Sequence, residues 1–160
     1  MSQIALDTNI LVRLAVPEHP FRAEAQAAVE MLHRLGRTTI VFPQMIYEFW
    51  AVATRTAAAN GMGLSARQAE MSIDGFLEWN PLLLDNDLVF THWRELAHAY
   101  AITGVNSHDM RIVASMKAHG VSTLLTCNRR DFKRYTGVIV MTPEEVLAPD
   151  QISNEGDRTS

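Results

Sequence analysis

Asp7, Glu48, Asp109 and Asp131 are the side chains of this sequence whose types and settings point to chemistry. Asp7 interrupts the apolar run "IALDTNILV", where a carboxylate is costly unless something pairs with its charge. Glu48 follows Pro43 by less than two helical turns, Asp109 lies in "SHDM", and Asp131 closes "CNRRD". Several carboxylates gathered at one edge repel one another and raise one another's pKa unless cations intervene. A hard divalent cation, Mg²⁺ or Mn²⁺, takes oxygen ligands and relieves that repulsion. Cys127 is alone and the six histidines form no metal-spaced pair. His108 adjoins Asp109, but neighbours in a helix do not face each other. Carboxylates around such an ion imply reactions of phosphates. Taken singly, each acid also has a plainer reading: a helix-terminus anion for Asp109, a solvated helix position for Glu48, a partner of the adjacent arginines for Asp131. Asp7, between Leu6 and Ile10, fits a solvated surface poorly.

The elements that must position these acids follow from periodicity and punctuation. Residues 4–6 are a short apolar strand, with Asn9 as the expected cap of a helix from Ile10. "FRAEAQAAVEMLHRLG" sets Ala25, Ala28, Val29, Leu32 and Leu35 on one helical face and stops at Gly36. "TTIVF" is a second strand, followed by a helix from Gln44 as far as Asn60-Gly61. Ser65 and Gln68 form a capping-box pattern opening a helix to Trp79, and "PLLLD" is a third strand. A helix carrying Val89, Trp93, Leu96 and Tyr100 ends by Gly104. Another is capped by Ser107 and stops at Gly120. "STLLT" and "GVIVM" are the fourth and fifth strands, and "PEEVL" a final short helix. Short apolar strands alternating with helices predict a three-layer α/β/α fold with a mostly parallel central sheet of about five strands. In such sheets ligands gather outside the carboxyl ends of the strands, the edge all four acids can reach.

The chain of 160 residues is expected to form one domain over 1–148, with 149–160 a disordered acidic tail. Its net charge of −4 resides in the last 18 residues, leaving 13 basic and 13 acidic side chains over 1–142. Bulk electrostatics therefore does not single out nucleic acid, although Arg129, Arg130, Lys133 and Arg134 are concentrated beside Asp131. No apolar run is long enough to span a membrane, and the start lacks the pattern of a secretory signal, so a cytoplasmic location is expected. Cys127 abuts an apolar strand and reads as a packing residue. Met45, Met62, Met71, Met110 and Met116 read as core filling or as a pliable docking surface.

"LDTNIL", "PQMIYEFWAV", "HDMRIVASMKAHGVSTLLTCNRRDF" and "GVIVMTPEEVL", in that order over residues 4–147, together resemble the PIN-domain family, particularly the VapC-type toxins of bacterial toxin-antitoxin pairs. The resemblance implies a Mg²⁺-dependent endoribonuclease, with Mn²⁺ as an alternative ion. Asp7, Glu48 and Asp109 match the family's acidic core, Asp7 and Asp109 holding the metal and Glu48 binding it through water or orienting the attacking water. Asp131 or Asn128 completes the set; family members often carry an acid where Asn128 stands. Thr8, Asn9, Thr126 and Asn128 would fix these acids by hydrogen bonds. Arg129, Arg130, Lys133 and Arg134 would hold the RNA backbone. RNA, an antitoxin protein and a second copy of the chain are the implied partners. A rival class, the aspartyl-phosphate phosphatases, places a second Asp two residues after the first, where this chain has Asn9. A second rival is an inactive module that keeps the fold to bind RNA or protein.

Overall fold

The computed structural model of the protein describes residues 2–104 and 106–148. Four parallel strands, β1 (Gln3–Leu6), β2 (Thr38–Ile40), β3 (Thr123–Leu125) and β4 (Ile139–Met141), form one sheet in the order β2-β1-β3-β4. The register pairs Ile4 with Thr39 and with Thr123, and Leu125 with Met141. Central β1 is apolar without alternation because helices cover both its faces, and Ala5 and Leu6 are fully buried. The helices are α1 (Thr8–Ala15), α2 (Arg22–Arg34), α3 (Pro43–Thr54), α4 (Ala66–Trp79), α5 (Asp87–Tyr100), α6 (Asn106–His119), α7 (Arg129–Phe132) and α8 (Pro143–Leu147). Leu6, Ile10, Leu11, Ile40, Met45, Phe49, Met110, Ile112, Met116 and Leu124 form a continuous core in which Phe49 meets the edge of Phe76 at 5.0 Å. Met45, Met110 and Met116 fill that core, Met62 is packed against it, and Met71 is exposed.

The third strand expected, at "PLLLD", is reduced to one parallel bridge between Val41 and Leu82, which leaves four strands where about five were expected. Val41 N–H donates to the Pro81 carbonyl at 3.1 Å, and Leu83 N–H to the Val41 carbonyl at 3.0 Å. The next rung on one side needs an N–H at residue 81, and the next on the other side an N–H at residue 43. Both positions are proline, so the ladder ends after a single rung.

Three helix boundaries also differ from the sequence reading. α1 starts at Thr8 with Asp7, not Asn9, as its cap, because the Asp7 carboxylate accepts the Thr8 N–H while Asn9 is drawn across to β3. α3 stops at Thr54 rather than at Asn60-Gly61. The chain turns back through a 3₁₀ turn at Ala57–Ala59 and lays 62–64 against the helix end: Met62, Gly63 and Leu64 N–H groups donate to the carbonyls of Val52, Arg55 and Ala53. Gly61 makes this return possible, since a Cβ there would stand 2.1 Å from the Arg55 carbonyl oxygen. α6 starts at Asn106, so Ser107 lies inside the helix and is not its cap. α4 opens on the expected Ser65–Gln68 capping box, and α8 on another between Thr142 and Glu145. The proposed tail, 149–160, lies outside the described residues.

Candidate functional site

At the carboxyl end of β1 the chain passes directly from strand to helix, and Asp7 occupies the junction. Its N–H continues the sheet by donating to the Leu125 carbonyl at 2.9 Å, while its own carbonyl accepts from Ile10 in α1 at 3.0 Å. The side chain is 6% exposed. Asp7 Oδ1 accepts from Thr8 N–H at 2.8 Å, and Oδ2 accepts from Thr126 Oγ1 at 2.6 Å and Asn9 Nδ2 at 3.0 Å. Thr126, fully buried just after β3, spends its one hydroxyl proton on Asp7. Its oxygen accepts from Asn9 Nδ2 at 3.1 Å and from the Asn128 N–H at 3.0 Å. The Asn9 carbonyl oxygen accepts the Cys127 N–H at 3.1 Å, so this side chain ties α1 to the segment after β3. Three donors favour the Asp7 anion, yet burial outweighs them and lifts its pKa from 3.8 to about 6, with Glu48 and Asp131 adding like-charge repulsion.

Facing this junction is a cleft of about 670 Å³ lined by Thr8, Gln44, Tyr47, Glu48, Arg55, His108, Asp109 and Asp131. Glu48 comes from α3, Asp109 from the first turn of α6, and Asp131 from α7. Glu48 Oε2 accepts from Thr8 Oγ1 at 2.9 Å, and Oε1 from Gln44 Nε2 at 2.6 Å. Asp109 is half-buried, and its pKa rises to about 7. Desolvation is the main cause, followed by the charges of Asp131, Asp7 and Glu48, against a smaller lowering by Arg134. The structure therefore brings the other three acids within electrostatic reach of Asp109, and Asp131 lines the cleft. Asn128 caps α7 without a side-chain hydrogen bond and contributes its N–H to Thr126 instead. Among the described residues no three acidic, His or Cys side chains are drawn up around one point at ligating distance.

The donor set nevertheless fits a hard divalent cation. It is all oxygen and its charges oppose one another. The two acids with raised pKa values are those whose ionisation a cation would assist. Burial pushes the Cys127 thiol up to about 11, which disfavours the thiolate at neutral pH.

The basic segment is split by the fold. Arg129 is committed to Glu145 of α8 in an ion pair, rather than to Asp131, whereas Arg130, Lys133 and Arg134 are exposed. Sequence reasoning missed Gln44 and Arg111. Arg111 donates to Gln44 Oε1 at 2.6 Å and pairs with Asp85. The i, i+4 spacing of Gln44 and Glu48 was the available signal for the first. Nothing local marks Arg111, because its partners come from α3 and from the loop before α5.

A family model described as "PIN domain" matches residues 4–138, which contain β1 from its second residue, β2, β3 and all four acids. Comparison with curated proteins finds none that matches. Among solved structures, a chain of VapBC2 from Rickettsia felis, bound to a DNA fragment from their promoter, superposes with a TM-score of 0.67 at 21% identity, covering 88% of this chain and 98% of that one. A chain of VapBC-1 from nontypeable Haemophilus influenzae gives 0.66 at 18%, covering 89% and 98%. VapC20 of Mycobacterium tuberculosis, described as a sarcin-ricin loop cleaving toxin, gives 0.57 at 14%, covering 84% and 98%. These likenesses establish a common fold, and the model spanning strand, acid and cleft establishes the lineage: the chain belongs to the PIN domain family.

Proposed function

We propose that this protein is a metal-dependent endoribonuclease and the toxin of a toxin-antitoxin pair. The observation that carries the reading is that Glu48, Asp109 and Asp131 line one cleft, with buried Asp7 behind Thr8 at its wall and close enough for the charges of Glu48 and Asp131 to act on it. Asp7 and Asp109 would hold Mg²⁺ or Mn²⁺, with Glu48 and Asp131 beside them. Bound there, the ion supplies Lewis-acid polarisation of a phosphodiester and lowers the pKa of a water. Thr126, Asn9 and the Thr8 amide orient the Asp7 carboxylate through the three hydrogen bonds described above. Glu48 receives one donor on each oxygen and keeps its remaining lone pairs for a water that attacks phosphorus. Arg130, Lys133 and Arg134, exposed on and after α7 beside Asp131, are placed to attract the RNA backbone.

RNA as substrate is supported by VapC20, whose description is that of a toxin cleaving the sarcin-ricin loop. An antitoxin partner is supported by the VapBC complexes among the structural neighbours. We further propose that the chain pairs with a second copy and acts in the cytoplasm. No helix among the described residues is long and apolar enough to cross a membrane. The test is cleavage of cellular RNA by the purified protein with Mg²⁺, with EDTA, and as Asp109→Asn. Cleavage in the first arm alone, leaving defined 5′-phosphate ends, is expected. Equal cleavage by Asp109→Asn would overturn the site, and cleavage in EDTA would overturn metal dependence.

A further inference from the structure

We propose that Gln44 is a positioning residue for Glu48, and that its amide is oriented in turn by Arg111 and Asp85. The inference rests on the metal-nuclease reading above and assigns how one of its acids is held. Glu48 has three rotatable torsions and stands among like charges, so nothing in its own covalent structure selects one conformer. Gln44, one helical turn earlier on α3 and 6% exposed, donates to Glu48 Oε1 at 2.6 Å. The Glu48 carboxylate, an acceptor, already favours the amide NH₂ on that side. Arg111 fixes the same orientation from the other side: a guanidinium only donates, and it donates to Gln44 Oε1 at 2.6 Å. Reversing the amide would point N–H at N–H on one side and carbonyl at carboxylate on the other.

His108 Nδ1 lies 3.4 Å from Gln44 Nε2 and offers the second amide hydrogen an acceptor. Arg111 is itself anchored by its ion pair with Asp85, which follows the proline-limited bridge at Leu82. A neutral amide thus separates the guanidinium from the carboxylate. Arg111 orients Glu48 without occupying its oxygens, as a direct bidentate ion pair would. The charge of Glu48 stays available to the cleft.

The experiment is calorimetric titration of the full chain with Mn²⁺, alongside thermal unfolding, for wild type, Gln44→Met, Arg111→Met, the double variant and Asp109→Asn. Methionine keeps the length of Gln44 and removes its amide. Gln44→Met is expected to weaken Mn²⁺ binding by about 10- to 100-fold, the range for residues that orient metal ligands. Arg111→Met is expected to act less strongly in the same direction, and the double variant no more than Gln44→Met alone. A drop in melting temperature with unchanged Mn²⁺ affinity would assign Gln44 a packing role and overturn the inference, as would strictly additive losses. If Gln44→Met does not fold, Arg111→Met decides, its side chain being 33% exposed, and unchanged affinity there overturns the relay. Asp109→Asn separates the two levels. Wild-type Mn²⁺ binding by that variant removes the metal reading and this inference with it, whereas loss there with retention in Gln44→Met removes the inference alone.

Discussion

Replacing Asp7 by Asn should change how the stability of the metal-free protein depends on pH. The Asp7 carboxyl is raised from 3.8 to about 6 chiefly by burial, so the folded state prefers it protonated. The sign follows from linkage: a folded-state pKa above the unfolded value gives stability that is fully present below about pH 4 and lost as pH rises through about 6. A rise from 3.8 to about 6, at about 1.4 kcal/mol per pH unit, corresponds to a loss of about 3 kcal/mol by pH 7.5. Asn carries no charge and removes this loss. It also places an NH₂ group where Oδ2 accepted from Asn9, a donor facing a donor, which costs about 1–3 kcal/mol at every pH. The variant should therefore be less stable than wild type near pH 4 and equal or more stable at pH 7.5. Urea unfolding of both proteins across that range in EDTA measures the difference curve, in which groups unaffected by the substitution cancel. A wild-type-minus-variant difference that does not change with pH would refute the claim that the fold bears a buried charge at Asp7. Added Mg²⁺ should stabilise wild type, most strongly above pH 6, and leave the variant unchanged.

Further outcomes are expected from other parts of the molecule. Thr126→Val removes the largest hydrogen bond that lowers the Asp7 pKa, so the pH step in stability should move upward; urea unfolding against pH checks it, at an overall cost of about 1–3 kcal/mol. Charge reversal of both Arg130 and Lys133 should weaken binding across RNA sequences and reduce the salt slope by about one per residue, measured by fluorescence anisotropy at several salt concentrations. Gly61→Ala forces a Cβ against the Arg55 carbonyl and should destabilise the protein by about 1–3 kcal/mol in denaturant unfolding. Arg129→Ala should change stability by less than about 1 kcal/mol, because its ion pair with Glu145 is half exposed, and the same unfolding assay reads it.

The sequence made the strand-to-acid junctions legible because they are local. An apolar run ending in Asp7, or "STLLT" ahead of Asp131, announces both the buried element and the polar residue at its end. What local pattern hides is arbitration between distant partners. Asn9 has the composition of a helix cap, yet Thr126 and Cys127 offer it partners more than a hundred residues away, and Asp7 takes the cap. "PLLLD" has the composition of a strand, but its ladder depends on N–H groups that Pro81 and Pro43 lack. Arg129 pairs with Glu145 and Arg111 with Asp85, choices set by how α6 and α8 pack and invisible to spacing.

The Asn9 side chain acts as one more rung joining the first and third strands after the first has already become a helix. That rung divides the site mechanically. The Asp7 and Thr126 N–H groups extend the sheet ladder by donating to the Leu125 and Met141 carbonyls, so these amide hydrogens should exchange only when the whole fold opens. Glu48, Asp109 and Asp131 ride on separate helices whose side chains border the open cleft. One wall of the cleft is thus continuous with the sheet ladder, and the other is assembled from three separate helices.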